Sequence, residues 1–205
     1  MSKIKLTKGE LKRQRDSLEQ FQHYLPTLQL KKQQLQIKIT EAYRQLDEKR
    51  QMFNKKAEEI SRWAGLLADP SVNLKGWITP DEISIDTVNI AGANIPVFEN
   101  IHFKEAEYDL YSTPFWTDRG IEELRLMAAF LAEIDILKKR ADILKYELRI
   151  TTQRVNLFEK IKIPECLENI RVIRIYLGDQ QANAVGVSKA AKKKIIEYKA
   201  GLITV

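Results

Sequence analysis

The sequence predicts an all-α, elongated fold: a long antiparallel two-helix coiled coil formed by the N- and C-terminal helices, with a small middle segment containing a short β-hairpin. Three observations carry this. A seven-residue apolar repeat runs from Leu11 to Leu67, a second runs from Met127 to Phe158, and the stretch between them changes composition. Charged residues make up 30% of the 205 positions, with eight glycines and six prolines, a balance that favours long helices over a loop-rich fold.

The first repeat picks out Leu11, Leu18, Leu25, Lys32, Ile39, Leu46, Phe53, Ile60 and Leu67, all apolar but one. Three residues on from members of this series come Phe21, Leu28, Leu35, Ala42 and Trp63, interrupted by Gln14, Lys49 and Lys56. Such a 3.5-residue spacing keeps one narrow seam facing a partner helix only if the two helices wind round each other. At 1.5 Å per residue the run spans roughly 85 Å. Thr7 with Glu10 three residues later has the spacing of a capping box, which places the helix start there. Pro26 removes a backbone hydrogen bond and crowds the preceding turn, so a kink is expected between His23 and Pro26.

After Leu67 the repeat stops at Ala68, Asp69 and Pro70. From 68 to 117 lie four of the six prolines, Gly76 and Gly92, and most of the β-branched runs. Thr87 to Ile90 and Ile95 to Phe98 flank Ala91-Gly92-Ala93-Asn94, a hairpin signal within 83–101, with Ile83 and Ile85 extending the first strand. Pro96 has no N–H to give a ladder and belongs on an edge. Isolated two-stranded hairpins are marginal in water, so this one must lean on helices or on another protein. Ile90, Gly92, Ile95 and Val97 are therefore candidate partner contacts.

The second long helix is expected from Thr117, with Asp118, Glu122 and Glu123 suiting its positive end. Its seam reads Met127, Ile134, Ala141, Leu148 and Val155 in one series and Phe130, Leu137, Leu144, Thr151 and Phe158 in the other. Antiparallel pairing with the first helix covers both stripes; pairing between two chains would instead make a dimer. The heptad lapses near Ile163 and Pro164 and resumes with Leu167, Ile170, Ile173 or Arg174, and Leu177. Gly178 and Gly186 precede a basic stretch of Lys189, Lys192, Lys193, Lys194 and Lys199, read either as a solvated end or as a positive tip for an acidic protein surface. The organisation is thus 1–67, 68–117 and 118–205.

The formal net charge of +6 suits an anionic partner. The single cysteine, Cys166, cannot close an internal disulfide and fits a reducing compartment as a small packed side chain. His23 and His102 have no companions at metal-ligand spacing and read as ordinary surface or packing residues. Adjacent carboxylates such as Glu58-Glu59 and Glu122-Glu123 point to different helix faces and read as solvated charges. No Gly-rich phosphate loop, zinc-spaced His-Glu pair or histidine-backed nucleophile is present, so neither a catalytic residue nor a cofactor or metal is expected. With no apolar run near the ~20 residues of a membrane span, a soluble or peripheral protein is expected.

The run Arg154-Val155-Asn156-Leu157-Phe158-Glu159-Lys160-Ile161-Lys162-Ile163-Pro164 resembles the signature of the D subunit of V-type and archaeal-type rotary ATPases. Ile170, Ile173 and Leu177 continue the likeness. Asn89-Ile90-Ala91-Gly92 followed by Ile95-Pro96-Val97-Phe98-Glu99 is similar to that family's hairpin motif, and Thr7-Lys8 with Leu28 to Leu35 to its N-terminal pattern. Leu6, Gln33 and Pro26 depart from the family pattern without touching any chemistry. The resemblance implies a cytoplasmic central-stalk shaft, peripheral to the membrane, whose helices enter the catalytic head formed by the A and B subunits. Its middle segment would meet the small F subunit of the stalk and the funnel-shaped subunit above the membrane ring, with nucleotide chemistry left to partners. Separately from the resemblance, the apolar edge of the Gly92 hairpin on an otherwise polar rod leads to the expectation that the hairpin tunes coupling instead of providing the main grip. Two other classes stay open on the residues alone. One is a homodimeric coiled-coil scaffold; the other is a nucleic-acid-binding coiled coil using the lysine stretch, which lacks interleaved aromatics and would bind with steep salt dependence.

Overall fold

The structure is a computed structural model that describes residues 4–68, 72, 74–109, 111 and 113–203, with side chains omitted at 68 and 199–203. Lys3, Asp69, Pro70 and the side chain of Lys199 lie outside the described residues. The elements in order are α1 (Lys8–Ser61), a 3-10 turn (Ala64–Ala68), α2 (Leu74–Ile78), β1 (Pro80–Ile90), β2 (Ala93–Phe103), α3 (Thr117–Leu157), a π-helical turn (Phe158–Lys162) and α4 (Ile163–Ile203). Long N- and C-terminal helices with one two-stranded sheet between them are the predicted fold class. No helix among the described residues is long and apolar enough to cross a membrane.

Helix α1 starts as its cap dictates: the Thr7 hydroxyl accepts from the Glu10 N–H at 3.3 Å, and the Leu11 N–H bonds the Thr7 carbonyl. Glu10 does not complete the box but accepts from Gln14 Nε2 at 2.9 Å. The helical assignment runs through Pro26 without interruption, and that residue is exposed. Helix α1 ends at Ser61, short of the expected Leu67. There the Ser61 hydroxyl bonds the Glu58 carbonyl at 2.7 Å and the Trp63 N–H reaches back only to Ile60, which tightens the chain into the 3-10 turn.

The hairpin is longer than its apolar core implied and its turn is shorter. Ile90 pairs with Ala93, so the connection is the two residues Ala91 and Gly92, at φ 51° and 81°. Positive φ at both central positions is the type I′ geometry whose twist matches the strands. Asn89 Oδ1 accepts from the Gly92 N–H at 3.0 Å and holds the turn. Counting from the closing pair, Pro96 opposite Thr87 falls in a non-hydrogen-bonded pair, where a missing N–H costs the ladder nothing. Bulges lie between Pro80 and Glu82 and between Ser84 and Ile85.

The chain divides into two compact units, one of residues 30–152 and one of residues 1–29 with 153–205. In the first, α1 and α3 pair antiparallel and the hairpin tip packs on them. Leu35, Ala42, Ala93, Ile95, Ala141 and Leu144 share one buried cluster, and Leu46, Ile134 and Leu137 form a second. In the other unit the start of α1 packs against the end of α3 and the beginning of α4; Phe21 meets Phe158 with ring centroids 4.9 Å apart, and Val155, Cys166, Ile170 and Ile173 are buried.

Candidate functional site

The expected seam residues fall into graded positions. Leu35, Leu46, Ile60, Ile134, Leu137, Leu144 and Val155 are buried, while Leu18, Phe21, Leu28, Ile39, Phe53, Leu148 and Phe158 are half-buried. Leu46 and Leu144, at 6% and 0% exposure, lie between paired helices. Ile39 and Leu148 pack on the cluster around Leu35, and Phe53 on the one around Leu46.

Each of the three polar residues that interrupt the companion series of the first repeat, Gln14, Lys49 and Lys56, meets a partner on a facing helix. Lys49 reaches Glu133 at 2.8 Å with its ammonium 5.7 Å from the Phe130 ring centre, and Lys56 reaches Glu123 at 2.8 Å and Glu59 at 3.1 Å. In the other unit Gln14 Oε1 accepts from Asn169 Nδ2 at 3.3 Å. Polar pairs inside a coiled-coil seam fix register, because any slip leaves them unmatched. Glu123, expected as a solvated charge, is instead half-buried as the counter-ion of Lys56.

The Lys56 ammonium is held above the ordinary lysine value of 10.5, first by its hydrogen bond to Glu123, then by that to Glu59, against opposing desolvation. A raised folded-state value means this contribution to stability is fully present below 10.5 and is lost as pH rises through the folded-state value. The gap in urea midpoint between the native chain and a Lys56→Met variant should therefore be present at neutral pH and close in strong alkali. A gap of constant size would contradict the assignment.

Past the π-turn the stripe is displaced from expectation. Cys166, Ile170 and Ile173 are buried and Leu177 half-buried, whereas Leu167 is 50% exposed and Arg174 exposed. Val155, Phe158, Lys162, Cys166 and Ile170 step by three, four, four and four, one residue more than a heptad holds. The π-turn absorbs that residue. Burial pushes the Cys166 thiol up, which keeps it protonated and inert, as a packed side chain should be.

Of the candidate partner contacts in the hairpin, Ile95 is fully buried in the chain's own core and offers no surface; Ile90 and Val97 are half-buried and Gly92 is exposed beside Lys31. The apolar surface the hairpin does expose lies on β1, at Ile83, Ile85 and Val88. Ile136, absent from both predicted series, is buried. It lines a cavity of about 310 Å³ with Pro96, Val97 and Phe98, so the hairpin covers a second face of α3 that no heptad reveals. Arg125 anchors the base of the hairpin. Its Nε donates to the Trp77 carbonyl at 2.9 Å and its Nη2 to the Lys104 carbonyl, with the guanidinium carbon 5.3 Å from the Phe103 ring centre.

Lys192, Lys193 and Lys194 sit in α4, where every residue from Gly178 to Tyr198 is exposed. Val187, Ile195, Ile196 and Tyr198 are each more than half exposed along this stretch. Among the described residues nothing covers these apolar side chains.

Comparison with known proteins agrees with this architecture. The family model described as the D subunit of ATP synthase matches residues 10–193. The chain is 46% identical over 197 residues to the V-type ATP synthase D subunit of Borreliella burgdorferi, covering 96% of this chain and 97% of that protein. The V-type ATP synthase D subunits of Chlamydia caviae and Chlamydia pneumoniae are 36% and 34% identical, covering 97% and 94% of this chain and 96% and 93% of theirs. A signature at Arg154–Pro164, a hairpin motif closed by Ala91 and Gly92, and a family match over nearly the whole chain lead to one conclusion: this protein belongs to the family of ATP synthase D subunits.

Proposed function

We propose that this chain is the central-stalk shaft of a V-type rotary ATPase, coupling ATP hydrolysis or synthesis in the catalytic head to ion movement in the membrane ring, with no bond-breaking chemistry of its own. It would engage the A and B subunits of the head through α4, and the small F subunit of the stalk and the funnel-shaped subunit through the middle segment, peripheral to the membrane on the cytoplasmic side.

The observation that carries the reading is the uncovered stretch Gly178–Tyr198, which has both exposed apolar side chains and a lysine cluster on a helix that leaves a well-packed unit. Two unequal helices lack threefold symmetry. Inside a ring of three catalytic interfaces they would present a different face to each and bias each toward a different conformation. Coupling of that kind is a difference in contact free energy between sites, with the shaft as effector. Ion pairs across the seam such as Lys49–Glu133 and Lys56–Glu123 resist sliding of one helix along the other, which suits torque transmission.

The reading is tested by purifying a tagged copy from native membranes. The expected result is co-purification of nucleotide-binding head subunits with ATPase activity in stoichiometric amount. A tagged chain recovered as a stable homodimer without them would overturn it in favour of a scaffold.

A further inference from the structure

Within the unit of residues 1–29 and 153–205, α1 and α4 enclose a groove of about 390 Å³ beside their seam. Helical spacing explains which side chains line it. Arg15, Leu18 and Glu19 fall at i, i+3 and i+4 on α1, so they share one face. On α4 the lining residues Leu167, Arg171, Arg174 and Ile175 fall at i, i+4, i+7 and i+8 and form a single stripe. The π-turn sets the phase of that stripe: with Cys166, Ile170 and Ile173 turned into the seam, Leu167 and the residues above and below it are turned out onto the flank. Leu167 and Ile175 are 50% and 52% exposed there. Of the three guanidiniums in the groove, that of Arg171 is held by Glu168 at 2.7 and 2.8 Å, whereas Arg15 and Arg174 form no ion pair among the described residues. Glu19 is the one carboxylate in the lining.

We propose that this groove is a docking surface for an acidic amphipathic segment of a partner protein, one that carries aliphatic side chains between its carboxylates. A guanidinium without a counter-ion offers a planar fork of donors that fits a carboxylate bidentately. Two such groups, on Arg15 and Arg174, share the groove with the exposed aliphatic carbons of Leu167 and Ile175. Three cations against one carboxylate repel a basic segment and a second copy of the same groove. A nucleic-acid backbone would meet the arginines but brings no aliphatic carbon to Leu167 and Ile175, and a flat lipid surface does not enter a furrow between two helices. The occupant that suits every wall is acidic and apolar at once. Its charge selects the groove, and desolvation of Leu167 and Ile175 holds it there. The inference rests on this groove and stands whether or not the chain turns as a shaft.

The test uses the full-length chain and dye-labelled probes read by fluorescence anisotropy: a peptide of leucine and glutamate at helical spacing, its counterpart with lysine for glutamate, and a single-stranded DNA oligonucleotide. The glutamate peptide should bind more tightly than the oligonucleotide and weaken with salt, and the lysine peptide should not bind. The double variant Arg15→Glu/Arg174→Glu and, separately, Leu167→Asn/Ile175→Asn should each weaken the glutamate peptide at least about tenfold. Lys192→Glu/Lys194→Glu, the same charge reversal further along α4, should leave it unchanged. All four groove positions are exposed, and unaltered circular dichroism melts keep the variants interpretable. Absence of glutamate-peptide binding, equal binding of the lysine peptide, tighter binding of the oligonucleotide, or equal weakening by the Lys192→Glu/Lys194→Glu variant would each overturn the proposal.

Discussion

Replacing Leu144 with alanine will destabilise the unit of residues 30–152 by about 3 kcal/mol, within the 2–5 kcal/mol range for emptying a fully packed leucine site. Leu144 has no exposed surface and shares its cluster with Leu35 and Ala42 of α1 and with Ala93 and Ile95 of β2. One side chain therefore fills the space among two helices and the hairpin. Backbone pairing on both sides limits collapse into the void, so the cavity cost adds to the lost transfer energy. The melting temperature should fall by roughly 6–12 °C for a chain of this size, and amides of Ala93 to Val97 should exchange faster because their support is thinned. Leu131→Ala, at a position 49% exposed, is the control and should cost well under 1 kcal/mol. Equal effects of the two substitutions would refute the assignment of the core.

Truncation after Leu177 will leave folding intact and abolish coupling in the assembled complex. No side chain from Gly178 to Tyr198 is buried, so its removal takes nothing from the packing around Ile170 and Ile173. Circular dichroism should show less helix in proportion to the residues lost, with an unchanged melting midpoint. ATP hydrolysis by the complex should persist without ion pumping in reconstituted vesicles. Replacing Lys192, Lys193 and Lys194 with glutamate is the graded version: six units of charge change on an otherwise intact helix should weaken engagement with the head and make it more sensitive to salt. A truncated chain that pumps at the native rate would remove the shaft reading, and unchanged coupling after the lysine reversal would make that stretch a solvated end.

What the residues alone disclose follows from periodicity. Leu35, Leu46, Ile134 and Leu144 are legible because a seam repeats every seven residues regardless of what else the chain does. Gln14, Lys49 and Lys56 look like defects in that repeat, because a linear pattern cannot show which carboxylate or amide faces them. Ile136 escapes the pattern because its burial depends on a hairpin arriving from forty residues away. Leu167 fits the heptad better than Cys166 does, because a surplus residue in a helix leaves no mark in composition, only in phase. Ile95 is recognisable as apolar strand yet not as interior; alternation alone does not say which face of a hairpin meets the helices. For Arg125 there is no signal at all, since its acceptors are backbone carbonyls.

The surplus residue at Phe158–Lys162 has an outcome further along α4. Because the π-turn takes up the surplus residue, each later residue faces where its predecessor would face in an unbroken α-helix, about 100° away round the axis. The direction in which Lys192, Lys193 and Lys194 point is thus set some thirty residues upstream, by a local miscount in the winding and not by their own neighbours. Compass bearing and chemical character of that end are encoded separately, so either could drift over evolution while the other held still.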